Sequence, residues 1–271
     1  MKQNIRDADP AELLELAVNL ARRAGELARR TRAEAIGDVA TKSTATDVVT
    51  AADQAAERLV VSALAELRPG DAVLGEETGA SEGGSGVRWV LDPIDGTVNY
   101  LYGLPGYAVS LAAEIGGQVV AGVVHNPVTG EEWTAVRGRG AMRNWEPIRC
   151  SEVTELGMTL LATGFGYAAD RRAHQARVVA EVLPLVRDIR RYGAAALDLC
   201  YAAEGRVDAY YEKGLNAWDH AAGGLIAAEA GLVVSGLRGA PPGPSMVIAA
   251  PAAIFDALHA LLVELDADGG P

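Results

Sequence analysis

Two carboxylates, Asp92 and Asp95, stand three positions apart directly after the apolar run Val87–Leu91, which contains a single arginine. The run predicts a buried strand, and Pro93 predicts its end, because proline cannot donate to a sheet ladder. Carboxylates this close cannot all stay ionised in a buried position without a cation. Carboxylate and carbonyl oxygens are the ligands that Mg²⁺ prefers, so the pattern indicates a metal site.

Gly96 and Thr97 follow the second carboxylate and add a different kind of chemistry. Their backbone N–H groups suit a phosphate, since clustered amides at a change of chain direction bind anions. A metal beside a phosphate is the layout of metal-dependent phosphoryl transfer. The same stretch also fits an ordinary turn, because Asp-Pro and Asp-Gly are common turn dipeptides.

Three further carboxylates stand where a strand ends or a helix begins. Glu76 follows the short apolar strand Ala72–Leu74. Asp53 lies three residues after Thr50, which is the spacing of a helix capping box. Asp219 lies in the first turn of another predicted helix, where the helix dipole favours a carboxylate. Each of these positions therefore has a structural explanation, and for Asp53 a capping role and a catalytic role are compatible.

The composition excludes several classes of function. A hydrophobic fraction of 49% over 271 residues supports a large core. The net charge of −12, from 36 acidic and 24 basic residues, argues against binding to nucleic acid or to an anionic membrane. An acidic protein that handles phosphate needs cations, which agrees with a metal site.

Cysteines, histidines and apolar windows give no sign of another chemistry. The two cysteines are far apart and define no disulfide framework. The four histidines lack the spacing of a zinc site, and no GxxxxGK[ST] motif occurs. No window is long and apolar enough for a membrane span, and acidic residues interrupt the N-terminal segment where a signal peptide would have its core. We therefore expect a cytoplasmic protein.

Hydrophobic periodicity divides the chain into two unlike halves. The spacing predicts helices over Pro10–Arg30 and from Thr50 to Leu67, and then an antiparallel sheet. After a polar connection at 147–157, strands and helices alternate, which predicts a sheet covered by helices. We expect an N-terminal domain over residues 1–150 and a C-terminal domain over residues 151–271, the fold class being mixed α+β and α/β.

Three segments together resemble the inositol monophosphatase family, the lithium-sensitive, magnesium-dependent phosphatases. They are Gly75-Glu76-Glu77, Asp92-Pro93-Ile94-Asp95-Gly96-Thr97 and Trp218-Asp219-His220-Ala221-Ala222-Gly223, and the resemblance extends from about Leu13 to Leu262. It implies a layered α-β-α-β-α sandwich, a homodimer, two or three Mg²⁺ ions per site and inhibition by Li⁺. The substrate implied is a small phosphate monoester.

The resemblance also implies roles for the acidic residues. Glu76, Asp92 and the carbonyl of Ile94 match the ligands of a first metal ion. Asp92, Asp95 and Asp219 match those of a second.

Two more residues match the catalytic groups of the family. Thr97 and Asp53 match the pair that orients and deprotonates a metal-bound water, and Glu76 belongs with them as a catalytic residue. The N–H groups of Gly96 and Thr97 match the phosphate cradle.

The substrate contacts follow from the same resemblance. Glu212, Ala195 and nearby Gly193, together with Asp95, match the wall that holds the sugar or inositol hydroxyls. Lys42 matches a lysine near the phosphate.

Departures from the family pattern lie near the substrate wall. Ala194 replaces a common hydroxyl residue, and Tyr100 replaces the usual phenylalanine of the signature. We expect hydrolysis of inositol 1-phosphate, with histidinol phosphate, fructose 1,6-bisphosphate or a 3′-phosphonucleotide as alternatives. A hypothesis of another class is a non-catalytic scaffold or regulatory binding protein on the same fold, for which loss of a metal carboxylate would be the signature.

Overall fold

A computed structural model describes residues 8–34, 39–41 and 48–271. Within these ranges the helices are α1 Pro10–Glu34, α2 Ala51–Leu67, α3 Thr97–Tyr102, α4 Ala169–Val182, α5 Ala195–Ala203, α6 Ala217–Glu229 and α7 Ala252–Glu264. The strands are β1 Val39–Thr41, β2 Val48–Thr50, β3 Ala72–Gly75, β4 Gly79–Ala80, β5 Val87–Asp95, β6 Ala108–Ile115, β7 Gln118–His125, β8 Glu132–Val136, β9 Ala141–Arg143, β10 Glu146–Ile148, β11 Leu160–Thr163, β12 Asp188–Arg190, β13 Ala209–Glu212, β14 Leu232–Ser235 and β15 Val247–Pro251.

Two large sheets alternate with three layers of helices. The first sheet has the strand order β10-β9-β8-β7-β6-β5-β3-β4, the second has the order β12-β11-β13-β15-β14, and β1 pairs with β2. Helices α1 and α2 cover the outer face of the first sheet. Helices α5 and α6 fill the space between the sheets, and α4 and α7 cover the outer face of the second sheet. The predicted α-β-α-β-α sandwich is confirmed.

The first sheet is buried on both faces. Trp89 and Leu91 of β5 face the core under α1 and α2, whereas Val90 faces the core under α5 and α6. Helix α6 approaches this sheet closely, because a Cβ on Gly122 would lie 3.0 Å from Cα of Ala222. Small residues thus bring α6 against β7, in the same sheet as the acidic signature on β5.

Strand β5 does not end where its sequence predicts. The expected end at Leu91 was wrong, because β5 continues to Asp95. Beyond Leu91 it loses β3 as a neighbour but stays paired with β6, and the register shifts between Asp92 and Asp95 so that two residues oppose Val109 alone. Pro93 lies in this bulge, where proline is tolerated because the regular ladder is interrupted.

Prolines also lie within strand β10 and just after helix α4. Strand β10 overlaps the start of the expected polar connection at 147–157, with Pro147 on an edge strand, where a missing donor costs little. Helix α4 begins at Ala169, and a 3₁₀ turn containing Pro184 follows its end at Val182. Among the described residues, no helix is long and apolar enough to cross a membrane. The division into domains 1–150 and 151–271 stays a prediction.

Candidate active site

A pocket of about 470 Å³ opens between the end of β5 and the edge of the middle helical layer. Most residues predicted for the site line it, namely Glu76, Asp92, Ile94, Asp95, Gly96, Thr97, Gly193, Ala195, Glu212 and Asp219. Asp53 lies behind this lining and reaches the pocket through Thr97. Lys42 lies outside the described residues.

The bulge in β5 puts both signature carboxylates on one side of the sheet. In a regular strand, residues three positions apart point to opposite faces. The extra residue between Asp92 and Asp95 changes that alternation, and both side chains line the pocket. The N–H of Ile94 donates to Oδ1 of Asp92 at 3.0 Å, which closes the bulge.

Burial and neighbouring charges strongly perturb the pKa of Asp92. Burial raises its pKa well above the ordinary value, and the charges of Glu76, Asp95 and Asp219 raise it further. Asp92 also shares a hydrogen bond with Glu76. The pKa of Asp219 is raised in the same way, first by burial and then by Asp95 and Glu76. These are like charges concentrated in one place.

A buried glutamate on α2 shapes the turn that carries Glu76. The carboxylate of Glu57 accepts the N–H of Glu77 at 3.0 Å and the N–H of Thr78 at 2.7 Å. It fits against Gly75 so closely that a Cβ there would lie 2.5 Å from its Oε1. Glu57 therefore fixes the backbone on both sides of Glu76.

Asp95 joins the acidic signature to the start of α5. Its Oδ1 accepts the N–H of Ala195 at 3.2 Å, and its Oδ2 accepts the N–H of Ala196 at 2.7 Å. Burial raises the pKa of Asp95 to about 7, although these two hydrogen bonds oppose the shift. Each carboxylate oxygen keeps a lone pair for a further ligand.

Thr97 and Asp53 form a hydrogen-bonded pair at the floor of the pocket. Oγ1 of Thr97 lies 3.1 Å from Oδ1 of Asp53 and 3.1 Å from the carbonyl of Ile94. The other oxygen of Asp53, Oδ2, accepts the N–H of Thr50 at 2.8 Å and its hydroxyl at 2.5 Å. The predicted capping box is thus confirmed, and one oxygen of the same carboxylate still faces Thr97.

A left-handed glycine forms the turn between β5 and α3. Gly96 has φ 89°, and a Cβ there would meet the carbonyl of Gly106 at 2.9 Å. Asn99, on α3, donates from Nδ2 to the carbonyls of Gly106 at 2.6 Å and Tyr192 at 2.8 Å. This amide ties the signature to the segment that contains Gly193.

Asp219 stands at the start of α6, as its sequence position predicts. Its Oδ2 accepts the N–H of Asn216, the residue before the helix, at 2.6 Å. The carbonyl of Trp218 accepts Oγ of Ser110 on β6 at 3.2 Å, which attaches this turn to the first sheet. The capping interaction therefore orients the carboxylate that also lines the pocket.

The donor set suits a hard divalent cation. In the described part of the chain, no three acidic, imidazole or thiol groups already surround one point closely enough to hold an ion as they stand. Glu76, Asp92, Asp95 and Asp219 nevertheless line one pocket together with the backbone of Ile94. The pKa values of Asp92 and Asp219 are raised first by burial and then by the charges of the neighbouring carboxylates. Carboxylate and carbonyl oxygens in an electrostatically strained cluster fit Mg²⁺ better than a soft metal.

Three residues that support the site are not apparent from sequence reasoning. They are Glu57 under the Glu76 turn, Asn99 between two glycine segments, and Tyr210 beside Glu212. Asn99 carried a signal because it lies two residues after the acidic signature, and Tyr210 carried one because it lies two residues before Glu212 on one predicted strand, where alternate residues share a face. Glu57 carried none, because it acts on Glu77 and Thr78, which lie 20 and 21 residues away.

Comparisons with known proteins identify a family and a shared fold. The model of the inositol monophosphatase family matches residues 9–266. "Inositol-1-monophosphatase SuhB" of Mycobacterium tuberculosis is 48% identical over 275 residues, which cover 94% of this chain and 95% of that protein. A solved structure of Mycobacterium tuberculosis SuhB has a TM-score of 0.84 and 46% identity, covering 97% of this chain and 100% of the other. "Nus factor SuhB" of Escherichia coli is 40% identical over 229 residues, which cover 84% of this chain and 86% of that protein.

Proposed function

Because this chain belongs to the inositol monophosphatase family, whose members include phosphoric monoester hydrolases, we propose that it hydrolyses inositol 1-phosphate in a Mg²⁺-dependent reaction. The observation that carries the proposal is the position of the hydrogen-bonded pair Thr97–Asp53 at the floor of a pocket lined by four clustered carboxylates. The pair Thr97–Asp53 would activate water, and the four carboxylates would hold the metal.

Two groups of ligands would bind the cations. Glu76, Asp92 and the carbonyl of Ile94 would hold one Mg²⁺, and Asp92, Asp95 and Asp219 would hold another. Bound Mg²⁺ neutralises phosphoryl oxygens and lowers the pKa of water. Li⁺ is expected to inhibit by competing for this acidic cluster.

Thr97 and Asp53 have the geometry of a relay for a proton. When Thr97 donates its hydroxyl hydrogen to Oδ1 of Asp53, the lone pairs of Oγ1 can accept a hydrogen from water. Burial raises the pKa of Asp53, which makes its carboxylate a stronger base. The water oxygen would attack phosphorus, one of its protons would move through Thr97 toward Asp53, and the ester P–O bond would break. The leaving alkoxide would take a proton from a solvent water, and the proton held on Asp53 would neutralise the hydroxide so formed.

The remaining lining residues would bind the substrate. The N–H groups of Gly96 and Thr97 belong to the start of α3, where amides have no intrahelical acceptor, and they suit the phosphate. Gly193, Ala195 and Glu212 line the side of the pocket. Glu212 offers an acceptor for the hydroxyls of the leaving group.

A second candidate function is a binding role in a macromolecular complex, beside catalysis. It is supported by the relative in Escherichia coli that carries the name Nus factor. The acidic charge of the chain favours a protein partner over nucleic acid. For either function we propose that the protein is cytoplasmic and forms a homodimer.

Phosphate release from a panel of monoesters tests the main proposal. The panel contains inositol 1-phosphate, histidinol phosphate, fructose 1,6-bisphosphate and a 3′-phosphonucleotide, each with Mg²⁺, with chelator, and with Mg²⁺ plus Li⁺. We expect Mg²⁺-dependent release from inositol 1-phosphate that Li⁺ inhibits. Release from another member alone would change the substrate, and release from none would favour the binding role.

A further inference from the structure

The hydroxyl of Tyr210 holds the carboxylate that faces the substrate. Tyr210 is fully buried in the core between the sheets, and its hydroxyl donates to Oε2 of Glu212 at 2.7 Å. Burial and the charge of Glu212 raise the pKa of this hydroxyl well above its ordinary value. The tyrosine therefore stays protonated and remains a donor.

A glycine directly after the neighbouring strand β11 lies under the carboxylate of Glu212, and together with the Tyr210 hydroxyl it forms what we call the seat of Glu212. Strand β11 runs parallel to β13 with Thr163 opposite Tyr211, so the next residue, Gly164, lies beside Glu212. A Cβ on Gly164 would overlap the Glu212 carboxylate. The carboxylate thus lies directly over the Gly164 backbone, with the tyrosine hydroxyl bonded to one of its oxygens.

The seat restricts a side chain that is otherwise flexible. A glutamate has three side-chain torsions, and freezing them on substrate binding costs free energy. Here one oxygen of Glu212 is already bonded to Tyr210, which leaves Oε1 and the remaining lone pair of Oε2 for other donors. Hydroxyl groups of a ligand in the pocket are suitable donors.

We propose that Tyr210 is a positioning residue that fixes Glu212 over Gly164, and that this arrangement makes the enzyme selective for phosphate monoesters whose leaving group carries hydroxyls. The proposal rests on the proposed phosphatase function. It assigns to Tyr210 an effect on substrate choice that acts through Glu212.

The test compares two tyrosines that are adjacent in sequence. Tyr210→Phe removes the hydroxyl that bonds Glu212, whereas Tyr211→Phe removes one on the opposite face of β13, in the core under α4 and α7. Both variants are assayed with Mg²⁺ on inositol 1-phosphate and on phenyl phosphate, whose leaving group has no further hydroxyl. Circular dichroism and thermal melting check that each variant is folded.

We expect Tyr210→Phe to affect one substrate and not the other, and to change KM more than kcat. Tyr210→Phe should raise KM for inositol 1-phosphate about 10- to 100-fold, the usual range for a hydrogen bond to a charged group, and change kcat little. Its kcat/KM on phenyl phosphate should stay within about twofold of the wild type. Tyr211→Phe should keep kcat/KM within about twofold of the wild type on both substrates. Gly164→Ala, which displaces Glu212 by steric overlap, should reproduce the Tyr210→Phe pattern.

A double-mutant cycle separates positioning from a merely structural effect. In a Glu212→Ala background, which has no side-chain acceptor for the Tyr210 hydroxyl, Tyr210→Phe should cause no further rise in KM for inositol 1-phosphate. An equal loss on both substrates, or full additivity in the cycle, would overturn the positioning role and leave the phosphatase function intact. A wild type that hydrolyses neither ester would overturn the proposed function, and the selectivity with it.

Discussion

Oγ1 of Thr97 lies 3.1 Å from Oδ1 of Asp53, a residue 44 positions earlier in the chain. Thr97 belongs to the first turn of α3 and Asp53 to the first turn of α2. Two helix starts, one after each of two strands, thus meet at the floor of the pocket. The same aspartate caps its own helix with its other oxygen, so one side chain has both a structural and a chemical partner.

Thr97→Ala should reduce kcat more than it changes Mg²⁺ affinity. The substitution removes the hydroxyl between Asp53 and the pocket but no carboxylate, and loss of a positioned proton acceptor typically costs 10²- to 10⁴-fold in rate. Steady-state kinetics over a range of Mg²⁺ concentrations measures both quantities. Thr97→Ser keeps the hydroxyl and should retain most activity. A weaker apparent Mg²⁺ affinity with unchanged kcat would contradict the role of Thr97 in activating water.

Asp92→Asn should abolish Mg²⁺-dependent phosphate release while the protein stays folded. Asp92 is predicted to bind both metal ions, and its removal also relieves the repulsion that raises its pKa. We therefore expect an unchanged or higher melting temperature without metal, and loss of the increase that Mg²⁺ causes in the wild type.

Asp256→Asn, on the exposed side of α7, is the matched control for that experiment. It removes the same charge far from the pocket and should keep both the activity and the Mg²⁺-dependent increase in melting temperature. Turnover retained by folded Asp92→Asn would rule out the shared-ligand role of Asp92.

The fold and the acidic cluster could largely be predicted from the sequence, because they rest on local patterns. The apolar run before Asp92 and the periodicity of α1 are visible over a few residues. The bulge in β5 could not be predicted, since it depends on pairing with β6 after β3 has ended. The same holds for Asp95, whose partners on α5 lie 100 and 101 residues away.

The free energy of unfolding should depend on pH through Glu212. Burial raises its pKa from 4.5 to about 7 in the folded protein, against the opposing effects of Tyr210 and Arg191. Below pH 4.5 the carboxyl is neutral in both states and costs nothing. As the pH rises toward 7 the unfolded state loses its proton first, so stability falls by up to about 3 kcal/mol and then levels off.

Urea unfolding of the wild type and Glu212→Gln at several pH values, without metal, measures this contribution. The difference between the two curves reports the titration of Glu212 together with the effect of its charge on Asp95, Asp198 and Asp219, whose pKa values are raised by burial and further by Glu212. The variant should be relatively more stable at pH 8 than at pH 4. A difference that does not change with pH would mean that Glu212 titrates with an ordinary pKa in the folded state.

Gly96→Ala should destabilise the protein more than the same change at Gly138. Both glycines have positive φ, 89° and 75°, so each alanine pays about 1–2 kcal/mol of backbone strain. At Gly96 the new Cβ would also meet the Gly106 carbonyl at 2.9 Å, whereas nothing lies within 4 Å at Gly138. Urea unfolding should therefore show an excess loss of about 1–3 kcal/mol for Gly96→Ala, together with weaker inhibition by inorganic phosphate if the turn cradles that anion. Equal losses of stability for the two variants would show that the turn between β5 and α3 accommodates a side chain by moving away from Gly106.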